Sequence, residues 1–165
     1  MKHTLYHRIH DYVTCHSNLR QAVVLSTRLL PGIVYAAYPL MLLWLLVFQR
    51  QELLRAILVP AIGFLATTWL RAWINAPRPY EQLDIPPISK KDTVGKSFPS
   101  RHAACAAVIA VTALHALLPL GIALSIVALL IALSRVLAGV HFLKDVLCGL
   151  LLGGVIGWLG MYMIP

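Results

Sequence analysis

The sequence predicts an all-α fold: an integral membrane helical bundle of about five transmembrane helices, preceded by an N-terminal amphipathic helix lying in the membrane interface. Three observations carry this. Of the 165 residues, 59% are hydrophobic and only 12% charged, whereas a soluble domain carries about a quarter charged residues. The mean hydropathy is +0.78. The apolar residues gather in runs close to the roughly 20 residues needed to cross a bilayer. No globular core of this length can hide so much apolar surface, so lipid is its natural solvent. With no internal repeat, low-complexity tract or composition break, residues 1–165 are expected to form a single membrane-embedded domain.

The elements follow in order. Residues 1–28 are expected to lie in the interface, because Leu5, Ile9, Tyr12 and Val13 recur at helical spacing with His7, Arg8, Asp11 and Cys15 between them. A first span runs from about Leu29 to Phe48, and a second from Leu53 to Ile74 with Arg55 and Arg71 inside it. Residues 75–100 are polar and proline-rich, lack apolar periodicity and form a loop. A third span runs from about Arg101 to Leu118, and Pro119-Leu120-Gly121 separates it from a fourth that continues to about Gly139. A fifth extends from Phe142 to Ile164 and carries Gly149, Gly153 and Gly157 at four-residue intervals. Small residues at that spacing let helix backbones approach closely. They are packing signals.

The formal net charge is +8. Its bases flank apolar spans, which points to lipid phosphates and excludes nucleic acid as the partner. Cys15, Cys105 and Cys148 show no metal-ligand spacing, and two lie within apolar runs, where cysteine behaves as a small hydrophobe. His3, His7, His10 and His16 make a solvated polar face without ligand geometry, so no metal or cofactor is expected. The same four histidines, with no continuous apolar stretch, argue against a signal peptide.

Ionisable groups at membrane depth cost several kcal/mol on some scales and are functional candidates by default. Alternating helix direction brings the end of span two ("RAWINAPRPY"), the start of three ("PSRH"), the end of four and the start of five ("SRVLAGVHFLKD") to one face. Arg71, Arg78 and Arg135 offer planar guanidinium forks suited to phosphate oxygens. Ser100 reads as the N-cap of the third span, whose free N–H groups favour an anion. His141 and Asp145, four residues apart, share a helical face. The carboxylate can hold one imidazole nitrogen and leave the other to attack. His102 is then available to protonate a leaving group. Singly each signal is weak, since an arginine at a span end is commonly a snorkelling anchor. Their order and spacing make the functional reading.

That order is Arg71, six residues, Arg78-Pro79; then Pro99-Ser100-Arg101-His102; then Ser134-Arg135, five residues, His141, three residues, Asp145. It resembles the three-part signature of the type-2 phosphatidic acid phosphatase superfamily, membrane lipid phosphatases related to the vanadium haloperoxidases. The resemblance covers roughly Arg71 to Asp145. It implies metal-independent hydrolysis of a lipid phosphate or diphosphate through a phosphohistidine, with His141 as nucleophile, Asp145 as its orienting partner and His102 as acid and then base. Arg71, Arg78, Ser100 and Arg135 would bind the phosphoryl oxygens, with Arg101 beside them. Two positions depart from the family pattern. Arg71 stands where lysine is usual, and Arg101 stands where glycine is usual. Undecaprenyl diphosphate is the first-choice substrate; phosphatidylglycerophosphate, phosphatidic acid and lipid A phosphates stay open, as does the oligomeric state. The alternative from another class is a non-catalytic lipid-phosphate binder or transporter, which would have no need of His141, Asp145 and His102 together. The resemblance implies a bacterial cytoplasmic membrane with the active site facing outward, although the count of Lys and Arg on that face favours the cytoplasm.

Overall fold

The computed structural model describes residues 2–83, 85–89 and 93–163; Met1 and Ile164, the outer limits of the first and last expected elements, lie outside them. Among the described residues there are helices and no strands. They are α1 (Lys2–Cys15), α2 (Ser17–Phe48), α3 (Arg50–Ile74), the short α4 (Pro79–Gln82), α5 (Arg101–Ala116), α6 (Leu118–Leu137) and α7 (Leu143–Trp158), which runs on into a π-helical turn, Leu159–Met163.

The chain is thus the all-α membrane bundle that its apolar runs require. Four helical segments, Ser17–Phe48, Arg50–Gln82, Leu118–Leu137 and Leu143–Met163, are long and apolar enough to cross a bilayer. The fifth apolar helix, α5, has 16 residues and so reaches only about 24 Å. It needs no lipid-facing length because it is the core of the bundle. Ala103, Ala104, Ala106, Val108, Ala110 and Ala113 are all buried, and α7, α6 and α3 pack around it. The helix expected over 1–28 divides at His16, whose extended backbone (φ −108°, ψ 98°) breaks the run. The first span therefore begins at Ser17 and is much longer than its apolar stretch alone.

The glycines of α7 work as their spacing predicts. A Cβ on Gly153 would lie 2.1 Å from the Ala104 carbonyl oxygen, and one on Gly149 would lie 2.6 Å from that of Ser100. Only glycine lets α7 lie this close to α5, and the contact runs along both helices from the first turn. The outward surfaces are apolar: Leu40, Val47, Leu54, Leu65, Leu129 and Leu151 are exposed, and only 17% of the most apolar stretch of α2 is buried. Trp69 and Trp73, stacked 5.9 Å apart near the end of α3 and exposed, have the character of an interfacial aromatic belt.

The two faces of the bundle differ. On one, α2 meets α3 through the single residue Gln49, and α5 meets α6 through Leu117, whose N–H donates to the Ala113 carbonyl at 2.7 Å. Glu52 there lies 3.6 Å from Arg55 and 3.5 Å from His115, and this accounts for the arginine inside the second span. The other face carries α1, α4 and the loop between α4 and α5. A second apolar cluster, with Val13, Val23, Ile88, Ala138 and Val140 buried together, seats α1 and the loop on the bundle there.

Candidate active site

The motif residues meet on the face that carries the loop. Arg71 sits in the last turn of α3, which Asn75 ends in a left-handed conformation (φ 44°). The Arg71 guanidinium donates to the Pro99 carbonyl at 2.8 Å. Arg78 precedes α4 and donates from Nε to the Gly95 carbonyl (3.0 Å) and from Nη1 to the Val140 carbonyl (3.3 Å). Glu81 closes this part of the loop, its carboxylate accepting the N–H groups of Arg78 (2.8 Å) and Gly95 (3.0 Å). The backbone N–H of Ser100, at the start of α5, donates to the Asp145 carbonyl at 2.8 Å. That bond ties the first turns of α5 and α7 together at the point where Gly149 allows close approach.

At the turn between α6 and α7, Gly139 adopts φ +70°, a conformation open to glycine at no steric cost. His141 follows, 1% exposed, and Asp145 is fully buried. The carboxylate is at the third position of α7 and its Oδ2 accepts the Phe142 N–H at 3.0 Å. Oδ2 also lies 3.5 Å from His141 Nδ1, too long for a strong direct hydrogen bond.

Ser97 fills that gap. Its hydroxyl donates to Asp145 Oδ2 at 2.5 Å, and its oxygen is 3.3 Å from His141 Nδ1. With its proton committed to the carboxylate, the Ser97 oxygen is the acceptor for Nδ1–H. In that tautomer Nε2 is the unprotonated nitrogen. Sequence reasoning did not single out Ser97; its position three residues before Ser100 was the available hint.

Electrostatics act in the same direction. Burial, with the charges of Arg78 and Arg71 adding to it, pushes the His141 pKa down to about 4 against the opposing pull of Asp145. The imidazole is therefore neutral at physiological pH, the form a nucleophile requires. Arg71, Arg78 and Arg135 are buried, and among the described residues none makes an ion pair with a carboxylate. Arg135 donates to the Thr27 carbonyl at 3.0 Å, while its Nε and the Ser100 hydroxyl oxygen are buried with no protein hydrogen-bond partner. Buried charges and buried polar atoms are costly when left uncompensated. Such a cluster has the charge and free donors to accept an anion.

Arg101 and His102 occupy the first turn of α5. Both line an apolar groove of about 580 Å³ between α2, α3, α5 and α6, whose walls include Val34, Tyr38, Ile57, Pro60 and Ile131. The Arg101 guanidinium is exposed and lies 5.4 Å above the ring of Phe64, at a distance suited to cation–π attraction. It remains within electrostatic range of Arg71. Arg101 thereby links the groove to the neighbourhood of Arg71.

The PAP2 superfamily model matches residues 52–165, which include every motif described above. Two solved structures share the architecture. LpxE of Aquifex aeolicus is 30% identical with a TM-score of 0.76, the match covering 95% of this chain and 92% of that one. The transmembrane PAP2-type phosphatidylglycerolphosphate phosphatase of Bacillus subtilis is 25% identical with a TM-score of 0.73, covering 95% and 83%. A search of curated protein sequences found no match. With its signature residues gathered at one end of a shared helical bundle, and a family match over more than half its length, this chain belongs to the PAP2 superfamily and is a membrane lipid phosphatase.

Proposed function

We propose that the chain hydrolyses a lipid phosphate or diphosphate by two displacements at phosphorus, independently of any metal. His141 Nε2 attacks the phosphorus, the bond to the lipid oxygen or bridging oxygen breaks, and His102 gives that oxygen its proton. Water then attacks the phosphohistidine, His102 takes the proton from the water, and the P–N bond breaks to release phosphate. Arg71, Arg78, Arg135 and the Ser100 hydroxyl bind the equatorial oxygens, where charge collects in the transition state. The observation that carries this reading is the buried set of three arginines without ion pairs, beside a neutral, oriented histidine.

The substrate proposed first is undecaprenyl diphosphate. The apolar groove lined by Arg101 and His102 supports a substrate whose hydrocarbon lies beside the reacting phosphate. The similarity to a phosphatidylglycerolphosphate phosphatase keeps that lipid next in line. Arg101, at the mouth of the groove, is positioned to contact a second phosphate or a headgroup oxygen. Purified protein in detergent, tested for phosphate release from undecaprenyl diphosphate, phosphatidylglycerophosphate, phosphatidic acid and lipid A, decides among these. Arg101→Gly should lower kcat/KM for the diphosphate roughly tenfold to a hundredfold more than for a monophosphate. Equal changes would leave Arg101 as an anchor. Binding without turnover of any lipid would instead favour a non-catalytic binder.

The active site is proposed to face outward from a bacterial cytoplasmic membrane. Ser89→Cys in a Cys15→Ser background should react with an impermeant thiol reagent in intact cells, and protection would reverse the assignment.

A further inference from the structure

The start of α7 has a partner from the far end of the sequence. Tyr6, on α1, accepts the backbone N–H of Leu143 at 2.6 Å, and its ring meets that of Phe142 edge-to-face with centroids 5.3 Å apart. Leu143 is the first residue of α7, so its N–H is one of the donors that a helix start cannot satisfy internally. The neighbouring N–H, that of Phe142, goes to Asp145. His141 directly precedes this pair. A second bond holds α1 to the site loop: His10 Nε2 lies 3.0 Å from the Pro86 carbonyl oxygen.

We infer that Tyr6 is a positioning residue for the phosphatase reaction: by accepting the Leu143 N–H it fixes the first turn of α7, and through it the alignment of Asp145 and His141. This rests on the reading of His141 as nucleophile and Asp145 as its orienting partner. The geometry is specific. Asp145 Oδ2 accepts from the residue adjoining Leu143, so rotation or fraying of this first turn moves the carboxylate away from Ser97 and His141 together. Burial raises the Tyr6 pKa, so the phenol stays protonated throughout the working range of pH. The interfacial helix thereby acts on the chemistry without touching the substrate.

The test is a double-mutant cycle on kcat. Tyr6→Phe keeps the ring on Phe142 and removes the acceptor; Leu143→Pro removes the donor. Proline is suited to the first position of a helix, and Phe142 before it already has the extended backbone (φ −73°, ψ 156°) that a following proline demands. Phosphate release from undecaprenyl diphosphate and from phosphatidic acid is measured in detergent, with near-UV circular dichroism confirming that each variant is folded. Tyr6→Phe is expected to lower kcat by about three- to tenfold with KM unchanged. In the Leu143→Pro background the same substitution should cost nothing further. Wild-type kcat in Tyr6→Phe, or an equal loss in both backgrounds, would overturn the inference, since a merely structural ring would not depend on the Leu143 N–H. His141→Ala separates the two levels: turnover there overturns the reading of the site and this inference with it, whereas a silent His141→Ala beside a wild-type Tyr6→Phe overturns the inference alone.

Discussion

Replacing Ser97 with alanine isolates the contact that joins the proposed nucleophile, His141, to the Asp145 carboxylate. The hydroxyl is fully buried and donates to Asp145 Oδ2 at 2.5 Å while its oxygen faces His141 Nδ1 at 3.3 Å. A hydrogen bond to a charged group contributes about 1.5–3 kcal/mol, and here no solvent is at hand to take its place. Without it, Asp145 reaches the imidazole only across 3.5 Å, so Nδ1–H loses its acceptor and the ring its fixed tautomer. If the whole contribution is felt in the transition state, kcat falls roughly tenfold to 150-fold. KM should hardly move, because Ser97 does not line the groove. Ser97→Thr, which keeps the hydroxyl, should recover part of the rate. The assay is phosphate release at saturating lipid, with melting temperature measured in parallel. A folded Ser97→Ala protein within twofold of wild-type kcat would refute the bridging role and require a direct Asp145–His141 bond during turnover.

Three further outcomes are expected. His141→Ala should abolish turnover, with His102→Ala slowing it by about 10²–10⁴-fold and Asp145→Asn also severe; because these groups act as a unit, the double variant should lose no more than His141→Ala alone. Activity should persist in excess EDTA and be blocked by vanadate, since the arginines supply the positive field; loss with EDTA and rescue by magnesium would contradict the mechanism. The native chain holds His141 neutral down to about pH 4, whereas the unfolded chain takes up a proton near 6.5. The unfolded state thus binds more protons between these values, and stability, complete above pH 6.5, should fall by about 3 kcal/mol as the pH drops through that window. Melting curves in detergent from pH 7 to 4 would show it, and His141→Gln should flatten the dependence.

The spans and the motif cluster were legible because charge within apolar sequence is costly enough to stand out. Arg71, Arg135, His141 and Asp145 announce themselves against their neighbours, and alternating helix direction gathers them on one face. The glycines of α7 could be read for the same reason, since their four-residue interval has one packing consequence. Ser97 could not be read, because a serine in a polar loop looks the same whether it meets water or a buried carboxylate. The partner of Tyr6 lies 137 residues away, and no local pattern encodes such a pairing. The break at His16 was hidden too: polar residues on both sides of it fit a continuous interfacial helix, and α2 extends beyond its apolar stretch because tertiary contacts such as Thr27 to Arg135 hold its first turns.

The single-residue junctions at Gln49 and Leu117 make the enzyme's connecting chain lopsided. A protease, an antibody or a regulatory protein arriving at that side finds two tight hairpins whose backbone is largely committed to helix. Every long connection is on the side where the chemistry occurs. A macromolecule that grips this protein through its connecting segments therefore does so within reach of the α4–α5 loop that carries Ser97 and Pro99. Recognition from that compartment and control of turnover are, by this construction, hard to separate.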